Sequence, residues 1–338
     1  MNNSNGHLSN ATVATLAPCA PPPLEKQGVE AIPIMDYIGN TPLFRLNHIP
    51  THLKTVEIYG KAEYLNPGGS VKDRAAFQMI CRGIKSGELT PDKIILDSTS
   101  GNTGIAYAMI GAALGYKVKL VLPGNVSPER SAILKMYGAE VILSSEYEGS
   151  DGAILLARKI YAENPDAYFK PDQYNNEANS LAHYTGTGPE IWKQTHGRIT
   201  HFLATIGTTG TLMGTGRFLK EQTPAPKIYA VEPDHEFHGI EGLKHIASSI
   251  VPGIYRPEIH DEKLPAKTED AYDMQARLAS DEGIFVGFSA GAAVHAALQL
   301  AEQIEAQGEY SEENKAIVVT ILCDRGDRYL TQLGRMHL

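Results

Sequence analysis

An α/β fold with parallel sheet is what this chain predicts, and three observations predict it. Short apolar runs alternate with helix-forming stretches. The stretches between runs reach about 10 to 15 residues, the length of crossover helices. The chain has 338 residues, more than a single hydrophobic core usually holds, so two α/β units are expected. Taken in order, Lys93-Ile94-Ile95-Leu96-Asp97 reads as a strand, residues 102–114 as a helix and residues 117–122 as the next strand. A helix over 128–137, headed by Pro128, the strand Glu140-Val141-Ile142-Leu143 and a helix over 151–162 extend the series. A second series opens near His201 with Phe202-Leu203-Ala204-Thr205-Ile206, then a helix over 212–221 and the strand Lys227-Ile228-Tyr229-Ala230-Val231. A helix over 269–281, a turn around Ser289, a long helix to about Gln307 and a strand over 316–322 complete it. The two series meet near 175, which divides the chain into an N-terminal domain over 29–175 and a C-terminal domain over 176–338. Residues 1–28, with Ala17-Pro18-Cys19-Ala20-Pro21-Pro22-Pro23, carry no periodic apolar pattern and read as a disordered extension.

Composition narrows the partners. A formal net charge of -9, with no block of Lys or Arg, argues against nucleic acid or an anionic membrane and for a small molecule. No run is long and apolar enough for a membrane helix, and the N-terminus lacks the basic-then-apolar order of a signal peptide, so a cytoplasmic protein is expected. Cys19, Cys81 and Cys323 are far apart and form no Cys-x-x-Cys pair, which indicates reduced thiols and neither a disulfide framework nor a thiolate zinc site.

Asn66-Pro67-Gly68-Gly69-Ser70-Val71-Lys72-Asp73-Arg74 places a lysine after a small-residue turn whose serine can cap the following helix. Lys72 would then occupy a first helical turn, where the dipole disfavours an ammonium, a setting suited to a Schiff-base lysine. The alternative is a solvated lysine beside Asp73 and Arg74. Ile206-Gly207-Thr208-Thr209-Gly210-Thr211 joins a strand to a helix and offers backbone N–H groups, hydroxyls and close approach, the makings of a phosphate cup. It is neither a Walker loop nor the dinucleotide fingerprint, and it also reads as a tight turn with threonine caps. Asp97-Ser98-Thr99-Ser100-Gly101-Asn102-Thr103-Gly104 sits likewise between strand and helix, and its donors suit a carboxylate as well as they suit helix capping.

Two further motifs compete. Gly287-Phe288-Ser289-Ala290-Gly291 matches the nucleophile elbow of α/β-hydrolases, with Asp324 or Asp327 and His295 or His337 as the available partners, none in a favourable order. In the segment from His235 to His245, the trio His238, Glu241 and His245 could share a helical face and ligate zinc, but Gly239 and Gly242 interrupt such a helix and a polar loop is the plainer reading. No metal is expected.

A reactive lysine, a phosphate cup, a carboxylate turn and a serine at a helix start together describe a site for pyridoxal phosphate and an amino acid. From residue 33 to 334 the chain resembles the fold-type II pyridoxal phosphate enzymes, within them the cysteine synthase and cystathionine β-synthase family. Five segments carry that resemblance in family order: Ile38-Gly39-Asn40-Thr41-Pro42-Leu43, the Lys72 segment, residues 99–104, residues 207–211 and residues 287–291. The resemblance implies two three-layer α/β/α domains like those of the tryptophan synthase β-subunit, the first of them mobile. It implies that Lys72 holds the cofactor as a Schiff base and removes the substrate's α-proton. Asn102 is implied to bond the cofactor's phenolic oxygen, Gly207, Thr208, Thr209, Gly210 and Thr211 to hold its phosphate, and Ser289 to meet its pyridine nitrogen. Thr99, Ser100, Thr103 and Gln173 are implied to bind the substrate carboxylate.

The reaction so implied is β-replacement, in which an activated serine loses its leaving group and a sulfur nucleophile adds to the resulting aminoacrylate to give cysteine. Condensation of serine with homocysteine is the family's alternative. Residues 322–330 and Thr209 resemble the bacterial B-type members, which use thiosulfate as well as sulfide. Residues 212–219 instead look like the O-phosphoserine branch, but the arginine that branch carries after Glu-Pro is replaced here by Asp234 and His235. A homodimer is implied, and serine acetyltransferase or a sulfur-carrier protein are the partners the family suggests.

Overall fold

A computed structural model describes residues 33–335 except Ser100 and Asn125, so the expected extension over 1–28 lies outside the described residues. The elements run β1 (Leu43–Arg45), β2 (Val56–Lys61), α1 (Lys72–Ser86), β3 (Ile94–Ser98), α2 (Asn102–Leu114), β4 (Val118–Leu122), α3 (Pro128–Met136) and β5 (Glu140–Leu143). There follow α4 (Gly149–Glu163), β6 (Tyr168–Phe169), α5 (Glu177–Ala182), a π-turn (His183–Thr187), α6 (Gly188–Gln194), β7 (His201–Thr205) and α7 (Gly210–Lys220). The chain closes with β8 (Lys227–Pro233), β9 (Glu262–Ala266), α8 (Thr268–Glu282), α9 (Phe288–Gln307), β10 (Ala316–Ile321) and α10 (Leu330–Arg335). The strands form a six-stranded sheet in the order β1-β2-β10-β7-β8-β9 and a four-stranded sheet in the order β5-β4-β3-β6. Every pairing is parallel except β1 with β2.

Each sheet is buried on both faces, which is why its strands read as apolar runs rather than alternating ones. On one face of the larger sheet Leu203, Tyr229, Val231 and Val318 pack with α8 and α9 residues such as Leu278 and Val294. On the other, Phe202, Ile228, Ile317 and Val319 pack with Ile191, Leu212 and Leu219 of α6 and α7. In the smaller sheet Ile95 and Leu120 face α1 and α2, while Leu96 and Val121 face Ala153 and Ala157 of α4. Both sheets are thus the middle layer of an α/β/α sandwich, the expected fold class.

The sequence reading lacks β1 and β2, and with them the order of the larger sheet. β2 pairs with β10 from Val56↔Ala316 to Ile321↔Lys61, so a strand from the start of the described chain joins the last one. Its pattern is hard to read because Gly60 interrupts it, and a Cβ there would lie 2.6 Å from a Leu322 methyl carbon. Division by sheet gives residues 43–61 to the later half, whereas a boundary near 175 assigns them to the N-terminal domain. The edge strand β9 was also missed, since Pro265 sits inside it.

Candidate active site

Ligands of open α/β sheets bind beyond the carboxyl ends of the strands. Here β3, β7 and β10 all end at one cavity of about 90 Å³, lined by Lys72, Asn102, Thr103, Gln173, Gly207, Thr208, Thr211 and Ser289 among others. Eight of the residues singled out in the sequence are therefore brought together. Thr99, Thr209 and Gly210 are buried in the same turns as these lining residues, and Ser100 lies outside the described residues.

Lys72 opens α1, as predicted, though the helix is entered from Val71 rather than Ser70. The Ser70 hydroxyl still accepts from the Lys72 N–H at 3.2 Å. Val71 N–H donates to the Cys323 carbonyl at 2.8 Å, which ties the lysine turn to the end of β10. Gly69 has φ +80°, the left-handed region where glycine is favoured, so the turn can bend here without strain.

The loop after β7 is tightly packed, and one of its buried hydroxyls lacks a partner. A Cβ on Gly207 would sit 2.5 Å from the Gly242 carbonyl oxygen, so only glycine allows this approach. Thr209 is β-branched yet has φ +71°, a strained conformation, and its buried Oγ1 has no hydrogen-bond partner. An unpaired buried hydroxyl beside the N–H groups at the N-terminus of α7 is what a phosphate monoester would satisfy. The residues present fit a phosphorylated cofactor.

Neighbours that the sequence reading did not single out hold this loop. Asn179 Nδ2 donates to Thr208 Oγ1 (3.0 Å) and to the Gln173 carbonyl (2.7 Å). His183, in the π-turn, has Nδ1 at 2.9 Å from Thr187 Oγ1 and Nε2 at 3.3 Å from Thr211 Oγ1. Burial, with the Arg74 cation adding to it, holds His183 down at about 3, so the ring is neutral. A π-turn leaves no periodicity to detect, although such turns often occur at functional sites.

In the turn after β3, Thr99 Oγ1 accepts from the N–H groups of Gly101 (3.0 Å) and Gly104 (3.1 Å), so it caps α2. Thr103 Oγ1 donates to Gln173 Oε1 (2.7 Å), and Gln173 Nε2 donates to the Ser98 carbonyl (2.7 Å). Asn102 Nδ2 donates to Asp324 Oδ2 at 2.6 Å, and its Oδ1 accepts from Arg328. Burial pushes the nearby Cys323 thiol up.

The competing motifs do not assemble. His295 faces Asp270 at 3.5 Å, and Asp324 is engaged by Asn102 and Tyr329, so among the described residues no acid–histidine pair serves Ser289; His337 lies outside them. Residues 238–245 form no helix, Glu241 is taken by Arg130 and Gln332, and His245 Nδ1 lies 2.8 Å from Ser248 Oγ. Among the described residues no group of three or more His, Cys, Asp or Glu could hold a metal ion.

A largely parallel two-sheet fold with a lysine-bearing turn and a glycine- and threonine-rich loop facing one cavity fits a cofactor-dependent α/β enzyme. The chain belongs to the pyridoxal-phosphate dependent enzymes, whose family model matches residues 34–324. It is 50% identical over 300 residues to a cysteine synthase of Aquifex aeolicus, covering 88% of this chain and 90% of that protein. It is 46% identical to cysteine synthase B of Salmonella typhimurium, covering 87% of this chain and 93% of the relative. The crystal structure of a cysteine synthase (OASS) from Entamoeba histolytica superposes with a TM-score of 0.81 at 37% identity, with 92% of each chain covered.

Proposed function

We propose that this enzyme forms L-cysteine by β-replacement, from O-acetylserine or another activated serine and sulfide or another sulfur donor. The observation that carries the reading is the convergence of Lys72 and the Gly207 loop on one cavity, in a chain 50% identical to a cysteine synthase. The N–H groups and hydroxyls of Gly207, Thr208, Thr209, Gly210 and Thr211 would hold the phosphate, Asn102 would donate to the phenolic oxygen and the Ser289 hydroxyl would meet the ring nitrogen. Pyridoxal phosphate, when bound, supplies the electron sink conjugated to the substrate's α-carbon. Lys72 would anchor the cofactor, and its Nζ is the group that would take and hold the α-proton. Ser100, Thr103 and Gln173 would orient the substrate through its carboxylate, Thr103 turning its proton from Gln173 toward the carboxylate oxygen, while Thr99 holds their turn through the Gly101 and Gly104 N–H groups. The Ser289 hydroxyl would offer the ring nitrogen a neutral partner rather than a carboxylate.

O-acetylserine is preferred to O-phosphoserine on charge. Lys244, the other amine lining the cavity, is paired with Asp151 at 3.1 Å, and Asp234 and His235 follow Glu232-Pro233. A cytoplasmic homodimer goes with this reading, and light scattering on the purified protein tests the dimer.

The protein should purify yellow, lose that colour on borohydride reduction and carry the reduced label on the Lys72 peptide. A colourless protein that takes up no cofactor overturns the proposal. Lys72→Ala should lower cysteine formation by about 10³-fold or more. Rates with O-acetylserine, O-phosphoserine and serine plus homocysteine decide the substrate, and a clear preference for homocysteine would replace cysteine synthesis with cystathionine formation.

A further inference from the structure

We propose that Asp324 and Arg328 are positioning residues that clamp the Asn102 side-chain amide in one orientation, leaving it a single N–H to present to the cavity. The inference rests on the reading that Asn102 faces the cofactor's phenolic oxygen. An asparagine amide offers donors at one end and an acceptor at the other, and a flip exchanges them. Here the ends face opposite charges. Asn102 Nδ2 donates to Asp324 Oδ2 at 2.6 Å, and the same carboxylate oxygen accepts from Tyr329 OH at 2.6 Å. Arg328 donates to Asn102 Oδ1 with one arm of its guanidinium and to the Gly68 carbonyl with the other. Asp324 is 0% exposed and Arg328 4%, so neither charge is screened by water. A flipped amide would set its N–H groups against a guanidinium, which only donates, and its oxygen against a carboxylate, which only accepts.

The backbone of the same stretch supports the clamp. Ser70 and Asp324 form a β-bridge, as do Val286 and Arg325. Gly287 N–H donates to the Asp324 carbonyl at 3.0 Å, and Arg325 N–H donates to the Gly69 carbonyl at 3.3 Å. Residues 323–328 therefore fix the lysine turn, the Ser289 turn and Asn102 relative to one another. An amide locked as donor stabilises an anionic oxygen opposite it, so it lowers the pH at which the bound cofactor's chromophore loses its proton.

The test is the pH titration of the visible absorption band in cofactor-loaded protein, with the cofactor Kd measured by reconstitution. Arg328→Met should raise the midpoint by about one unit and weaken the Kd about tenfold. The Arg328 charge also reaches Asp73, and Lys72, Arg130 and Glu241 stand nearby, so the substitution is repeated in an Asn102→Ala background. There Arg328→Met should add no further shift, because the clamp acts through the amide. A shift of equal size in both backgrounds, or none in either, overturns the clamp. Should the Met variant not fold, Arg328→Lys keeps the charge but cannot fork to both Gly68 and Asn102, and the same pair of outcomes applies. If Asn102→Ala alone leaves band and midpoint unchanged, Asn102 does not face the cofactor, and the reading of the site fails instead.

Discussion

Two buried polar clusters meet the segment around Lys72, and they differ in how completely they are paired. In the first, Arg74 donates to Glu63 at 2.7 and 2.8 Å and to both oxygens of Glu190 at 2.7 Å. Lys61 Nζ reaches Glu190 (2.7 Å), Gln194 Oε1 (2.9 Å) and the Thr41 carbonyl (2.5 Å), and Thr41 and Asn66 donate to Glu63. Two cations meet two carboxylates, and none of their side-chain polar atoms is left without a partner. The second cluster, around the cavity, leaves Thr209 Oγ1, Asp73 Oδ1 and Asp324 Oδ1 buried and unpartnered. Burial raises the Asp73 carboxyl to about 7. A completed network is scaffolding, whereas an incomplete one marks where a ligand or a proton belongs.

The largest effect that could break this contrast is on the closed cluster. Arg74→Met leaves Glu63 and Glu190 without their main cation and should cost about 3 to 5 kcal/mol in urea unfolding; a loss below about 1 kcal/mol would show that the cluster is not scaffolding. Near pH 5 a smaller, pH-dependent effect belongs to His183. Its value is lowered in the folded protein to about 3, so the unfolded chain binds the proton more readily and stability falls as pH drops from about 6.5 toward 3. The expected slope from this residue is about 1.4 kcal/mol per pH unit, and His183→Gln should flatten the acid limb; an unchanged limb means another group is responsible. Glu63, held at about 2 chiefly by Arg74 against the cost of burial, keeps its contribution above the ordinary carboxylate range and loses it only as pH falls toward 2. The smallest effect is the most discriminating. Thr209→Gly should stabilise the cofactor-free protein by about 1 kcal/mol, by relieving the backbone, while cofactor affinity falls about tenfold with the lost hydroxyl. Loss of stability in that variant would place Thr209 with the scaffold.

Much of this was legible in the sequence. Strands buried on both faces leave apolar runs bounded by turn residues, so β3 to β5 and β7, β8 and β10 could be read nearly to the residue. Glycines and hydroxyls at strand ends betrayed the loops that build the cavity. The residues that hold those loops were not legible. His183 sits in a π-turn, Asn179 in a short helix, and Arg328 lies 226 residues from the amide it contacts. No local pattern encodes a partner that only the folded sheet brings near. The same holds for β2, whose neighbour in the sheet is the last strand of the chain.

The central place of β10 also sets a timetable. It lies between β2 and β7 and is followed at once by the stretch that registers the lysine turn, the Ser289 turn and Asn102. A nascent chain still lacking residues beyond 315 has its lysine and its phosphate loop but no strand to bring them together. Cofactor uptake therefore waits until β10 has joined the sheet, and a polypeptide clipped before this strand should take up no cofactor.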